Sequence, residues 1–331
     1  MIKKIYFIEK SIPFNSLNLS DPIIGGSEKT LINISNELAK YNEFIVKVFN
    51  LTNNDKVIDN VEWKNLNNIS NNDCPDVLIS MSDARLLSLF KCKKKFLWSH
   101  SVQPIEKFIR KKQLFAFFKN KPIMILESKY HYRTRSFFTS CFGKKILPIS
   151  VDYDFLNEKI DNSYIPDKKA IFTTRSDRNL NFLIDCWAEI STKVKNSILF
   201  INPPYALNKF EKDMGIKLRN KNKKSDLIKD LKNSRLMMIP GHKGEVFCLA
   251  AEEARELCLP IVTMGYGCLS ERVEHGVTGY IAKSKKEFID YSINILSNDS
   301  IYLDLKKNLI NKRNSRSYKN VAKDLINIIK K

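Results

Sequence analysis

Two trains of short apolar runs, each alternating with helix-patterned segments, constrain this chain more than any other feature. The first train reads KIYFIE, FIVKVF, DVLISM, KFLWS, IMILES and KILPIS, and the second, from near Lys168, reads AIFTT, SILFIN, LMMIP, PIVTM and GYIA. Runs rich in β-branched and aromatic residues, separated by stretches with apolar residues at helical spacing (Leu31, Ile34 and Leu38 in the first), predict βα units and parallel sheets. Helices are expected at about 179–194, 225–233, 246–257 and 284–296, with two more in the tail from Ile301, broken around KRNSRS. The expected fold class is α/β: two Rossmann-like parallel-sheet domains facing each other across a cleft, at 1–152 and 168–312. An aperiodic linker is expected at 153–167, and a final helix within 313–331 is expected to pack back on the N-terminal domain. A length of 331 residues suits two domains. Paired domains of this kind place a ligand at the carboxyl ends of their strands.

Composition narrows the partners. The chain carries 56 Lys+Arg against 36 Asp+Glu, a net charge of +20. Asn, Lys and Ile are all abundant, as drift toward AT-rich codons produces, so the total decides nothing and the distribution matters more. Residues 91–121 hold ten bases and a single acid, Glu106, interleaved with Ile105, Phe108, Ile109, Phe115, Phe117 and Phe118. Such a basic, Phe-rich amphipathic segment has two readings. It is either a membrane-surface or acceptor-contacting element (Phe108, Arg110, Lys111, Lys112, Phe115) or a core-facing helix with a solvated basic side. No helix-turn-helix, zinc-finger or aromatic RNA-binding signature accompanies the charge, so nucleic acid is not an expected partner. Seven cysteines at 74, 92, 141, 186, 248, 258 and 268 show no CxxC pairing or zinc spacing. They read as reduced core cysteines of a cytoplasmic protein, and no metal site is expected. No apolar run approaches the roughly 18 residues of a membrane span, and the N-terminus reads as a first strand rather than a signal peptide.

The segment Ile239–Ala282, IPGHKGEVFCLAAEEARELCLPIVTMGYGCLSERVEHGVTGYIA, carries the chemistry. Its helix is expected to bury Val246, Leu249, Ala250, Ala254 and Leu257 and to expose Glu252, Arg255 and Glu256. Glu253 falls on the apolar stripe, where a carboxylate is costly unless answered by an Arg, by backbone or by a ligand hydroxyl. Glu245 lies eight residues earlier, at the entry to the helix. Eight residues of helix span about 12 Å, beyond the roughly 5–9.5 Å of a glycosidase carboxylate pair. Two spaced carboxylates suit an elongated, hydroxyl-rich ligand instead, and the N–H groups of Phe247, Cys248 and Leu249 at the helix start would face the same ligand.

This pattern resembles the donor site of retaining GT-B glycosyltransferases, specifically glycosyltransferase family 4. Glu245 and Glu253 match the E-x7-E pair, Pro260 the proline before the next strand, and Gly265-Tyr266-Gly267 through Glu271 the Gly-rich loop ending in Glu; GVTGYI follows. In IFTTRSDRNLNFLIDCW, Arg175 matches the family's phosphate-binding Arg and Arg178 sits near its Lys. Gly25-Gly26 resembles the Gly-rich turn that lets backbone approach a β-phosphate. His100 in WSHS resembles a His near the donor sugar, and LPISVD resembles the P-N-G-V-D segment closing the first domain. Three positions depart from the pattern: Cys248, Asn179 and Ser150 stand where the family has Gly.

The resemblance implies transfer of a sugar from a nucleotide-diphosphate donor, UDP or GDP sugars being expected, with retention and without metal or other cofactor. Arg175 and Arg178 would meet the leaving diphosphate, Glu245 the sugar hydroxyls and Glu253 the ribose. The implied acceptor is a glycan or lipid-linked hydroxyl. That acceptor and the basic segment suggest a peripheral enzyme on an anionic membrane surface, at the inner face of the cytoplasmic membrane. A catalytically inactive GT-B protein that binds a nucleotide sugar is the alternative.

Overall fold

The computed structural model describes residues 3–21, 23–70, 74–220, 223–313 and 316–330. The chain divides into two compact units, one running to Ser150 and resuming at Arg316, the other spanning Val151–Ser315.

Unit one is built on eight strands: β1 (Lys3–Ile8), β2 (Phe44–Asn50), β3 (Lys56–Ile58), β4 (Val61–Asn65), β5 (Val77–Met81), β6 (Lys94–Trp98), β7 (Ile123–Leu126) and β8 (Lys144–Ile146). Their order is β3-β4-β2-β1-β5-β6-β7-β8, with only β3 antiparallel to its neighbour. The apolar runs are continuous because a parallel sheet is covered on both faces: Ile5, Tyr6, Phe7 and Ile8 of β1 are all buried. The short β3–β4 pair escapes the sequence pattern. It closes on Asp59 and Asn60 at φ 52° and 61°, left-handed positions that Asp and Asn tolerate in two-residue hairpin turns.

The basic segment after β6 is two short helices, Ile105–Arg110 and Leu114–Asn120, rather than one amphipathic helix. Phe108, expected at a membrane or acceptor surface, is fully buried with Phe117 against Phe138. Its ring completes a core cluster with Tyr6, Leu78 and Leu97, because apolar area is worth more inside than beside the flanking lysines. Ile109, Phe115 and Phe118 stay exposed, as do Arg110, Lys111 and Lys112. The closing helix of the chain, Tyr318–Lys330, rests on helix Gly26–Leu38. Val321, Leu325 and Ile329 are buried on it, and the Tyr318 hydroxyl lies 3.2 Å from Thr30 Oγ1.

Unit two holds β9 (Lys169–Phe172), β10 (Ile198–Ile201), β11 (Ile216–Leu218), β12 (Leu236–Met238), β13 (Ile261–Thr263) and β14 (Gly279–Ile281). All are parallel, in the order β11-β10-β9-β12-β13-β14. The chain leaves β9 toward β10 and β11, then returns to the other side for β12, so the carboxyl ends of β9 and β12 form a topological switch point. Helix Leu180–Lys193 buries Leu183, Cys186, Trp187 and Ile190, spaced along one helical face, over that sheet. The stretch expected as a linker packs on unit two. It contains a helical turn, Tyr153–Leu156, while Lys224 Nζ lies 3.1 Å from Asp154 Oδ2 and Lys232 Nζ lies 2.6 Å from Glu158 Oε2.

Leu325→Ala removes a fully buried side chain from the closing helix. It is expected to cost about 2–5 kcal/mol in urea unfolding of the whole chain, whereas truncation of the exposed Phe115 to Ala leaves the midpoint nearly unchanged.

Candidate functional site

The switch point of unit two gathers three charged residues that the sequence singles out and one histidine that it does not. The stretch following β9 carries Arg175 and Arg178, and the stretch following β12 carries His242 and Glu245. Arg178 Nε lies 3.1 Å from Glu245 Oε1, both side chains being largely buried, and Arg178 Nη1 lies 2.7 Å from His242 Nδ1. Arg175 is exposed and paired with Asp177. Burial pushes the Glu245 carboxyl up, and Arg178, His242 and Arg175 pull it back. Beside this cluster a cavity of about 330 Å³ is lined by Thr173, Thr174, Arg175, Asp177, Asn202 and Pro204, among others. The Thr173 and Thr174 hydroxyls are buried with no hydrogen-bond partner among the described residues.

Backbone geometry explains two of the departures from the family pattern. Asn179 and Cys248, each standing where Gly is usual, both adopt left-handed conformations, at φ 64° and 62°. Asn tolerates that region and its side-chain amide donates to the Gly241 carbonyl, tying the two stretches together. Gly267 sits at φ 70°, and a Cβ there would meet the Glu245 carbonyl oxygen at 2.7 Å. The close approach lets the Cys268 N–H donate to that carbonyl at 3.0 Å, so the backbone of Glu245 is held from the β13 side as well.

The helix of the E-x7-E segment differs from expectation in start and in phase. It runs Leu249–Glu256, so Phe247 and Cys248 precede it and helical rise does not describe the path from Glu245 to Glu253. Glu252 and Glu256, expected on the solvent face, are 5% and 2% exposed, whereas Glu253 is only half-buried. The buried carboxylates are answered by arginines. Arg272 Nη1 donates to Glu252 Oε1 at 2.6 Å and Arg272 Nε to the Phe247 carbonyl at 2.9 Å, its guanidinium lying 4.1 Å from the Phe247 ring centroid. Arg255 pairs with both Glu252 and Glu256. Sequence reasoning located the problem of a buried Glu one residue away, because Arg272 lies 20 residues downstream and periodicity carries no trace of it.

In unit one, Gly25 caps helix Gly26–Leu38 with ordinary extended backbone, and Glu28 already accepts from Ser11 and Ser27 there. His100 follows β6, stacks on Trp98, and places Nδ1 2.6 Å from Oε1 of the buried Glu127. The adjoining His131 accepts from the Glu127 N–H at 3.3 Å and is driven down to about 4 by burial. His242 went unnoticed in the sequence. Its only signal was a position between Gly241 and Gly244, just ahead of Glu245. Among the described residues no group of three or more His, Cys, Asp or Glu could hold a metal, and no helix is long and apolar enough to cross a membrane.

Comparison with known proteins places the fold. Residues 209–314, which include β12, Glu245 and the helix Leu249–Glu256, match the family described as Glycosyl transferases group 1. The sucrose-phosphate synthase of Thermosynechococcus elongatus superposes with a TM-score of 0.73 at 12% identity, covering 99% of this chain and 98% of that one. The fold is that of the GT-B glycosyltransferases. WaaG, a glycosyltransferase involved in lipopolysaccharide biosynthesis, gives a TM-score of 0.70 at 13% identity over 98% of this chain and 99% of its own. Anabaena Alr3699/HepE, solved in complex with UDP and glucose, gives 0.70 at 13% identity over 99% of each chain. No curated protein matches the sequence. The GT-B resemblance carried by the E-x7-E segment therefore stands, and with it the expected α/β class of two Rossmann-like domains.

Arg272→Ala leaves Glu252 with Arg255 alone and frees the Phe247 carbonyl. It is expected to cost roughly 3 kcal/mol in chemical denaturation, and Arg272→Lys is not expected to restore it, since a point charge cannot bridge both acceptors.

Proposed function

We propose that the protein is a glycosyltransferase that moves a sugar from a nucleoside-diphosphate sugar to a hydroxyl of a glycan or lipid-linked acceptor, retaining the anomeric configuration. The observation that carries this reading is the Arg178–Glu245 pair at the switch point, with Arg175 beside it. Two guanidinium groups at strand ends suit a diphosphate, and preorganised cations stabilise the charge that develops on it as the glycosidic bond breaks. They supply that charge without a metal ion. The Glu245 carboxylate, held in place by Arg178, accepts hydrogen bonds from sugar hydroxyls and fixes the ring. Glu253 takes the ribose, and the Leu249 end of its helix faces the diphosphate. The departing phosphate oxygen takes the acceptor's proton on the same face, so no protein base is needed. His100 and the Gly25-Gly26 turn are assigned to the sugar and the β-phosphate. HepE, whose structure holds UDP and glucose, supports a UDP-sugar donor, and WaaG, a lipopolysaccharide enzyme, supports a glycan or lipid-linked acceptor.

Glu245→Gln keeps the shape of the side chain and removes its charge. Turnover with a panel of UDP and GDP sugars is expected to fall at least a hundredfold while the far-UV circular dichroism shows the chain still folded. Wild-type turnover in this variant would sink the assignment.

The acceptor is proposed to be reached at an anionic membrane surface on the cytoplasmic side. Ile109 at 58% and Phe115 at 79% exposure stand beside Arg110, Lys111 and Lys112, the apolar and basic combination that binds acidic interfaces. The chain is expected to float with phosphatidylglycerol vesicles at low salt and to be released at about 1 M salt, where the screening length shortens to about 3 Å. The Phe115→Ser, Lys111→Glu, Lys112→Glu triple variant is expected to stay unbound.

A further inference from the structure

We infer that His242 is a positioning residue for the donor diphosphate, acting through Arg178. The inference rests on the donor assignment above and deepens it. His242 Nδ1 receives two donors that cannot reverse their role. The Gly244 N–H donates to it at 2.9 Å, and Arg178 Nη1 lies 2.7 Å away. A backbone amide and a guanidinium only donate, so Nδ1 carries a lone pair, the imidazole is neutral, and its proton sits on Nε2. The loop is shaped around this contact: a Cβ on Gly244 would lie 2.7 Å from Arg178 Nη1 and 3.0 Å from His242 Nδ1. Glu245 holds the same guanidinium at Nε. The Arg178 plane is thus pinned at two of its nitrogens, and a pinned fork binds a diphosphate without first losing rotamer freedom.

The test uses the full chain and UDP-glucose at pH 8. In titration calorimetry His242→Leu is expected to weaken binding about tenfold, the scale of one hydrogen bond to a charged group. His242→Asn, whose Oδ1 takes the place of Nδ1, is expected to restore binding within threefold. An Asn variant no better than Leu overturns the inference. A second readout needs no donor: nitrogen-15 spectra of the unliganded protein at pH 8 are expected to show His242 unprotonated at Nδ1, and protonation there also overturns it. Absence of binding by every UDP and GDP sugar tried would instead overturn the donor assignment, leaving the spectra to decide the tautomer.

Discussion

Everything at the switch point of unit two depends on one ion pair, Arg178 with Glu245. Neither charge is exposed enough to be left to water, and an unpaired charge in that setting costs several kcal/mol. The pair therefore holds the stretch after β9 to the stretch after β12. That junction is possible only because the parallel sheet places these two strands side by side while the chain between them runs out to β10 and β11 and back. A different strand order would leave the same residues with no partner.

The backbone around the pair carries the cost of bringing these groups together. Asn179 and Cys248 adopt left-handed conformations that most residues avoid, at an order of 1–3 kcal/mol each when strained. Asn179 offsets part of this through its bond to the Gly241 carbonyl. Arg272 does comparable work for the Phe247–Cys248 stretch by joining a backbone carbonyl, an aromatic face and the buried Glu252. Helix Leu249–Glu256 is thus oriented by charge pairing on its buried face rather than by an apolar stripe alone, which is why a hydrophobicity pattern assigned its phase wrongly.

Unit one shows the same limit of pattern reading in its basic segment. Phe108 and Phe115 are seven residues apart and look alike in a list of bases and aromatics, yet one is fully buried and the other is 79% exposed. The turn at Lys111–Gln113 between the two short helices, with Lys112 at φ 53°, separates their faces. What emerges is an aromatic cluster of Phe108, Phe117 and Phe138 inside and a basic, apolar rim outside.

The sequence by itself determined the βα alternation, the strands of both sheets apart from β3, β4 and β11, and the positions of Arg175, Arg178 and Glu245. The strands and helices are local signals that residue type, period and order along the chain suffice to read, whereas the two arginines stand out only through the resemblance of their segment to the family's. Only the tertiary structure decided that His242 touches Arg178, that Glu252 rather than Glu253 is the buried carboxylate, that Arg272 answers it, and that Phe108 belongs to the core. Each of those facts is a contact between residues whose separation in sequence follows no period, set by strand order and by where buried charge finds its partner.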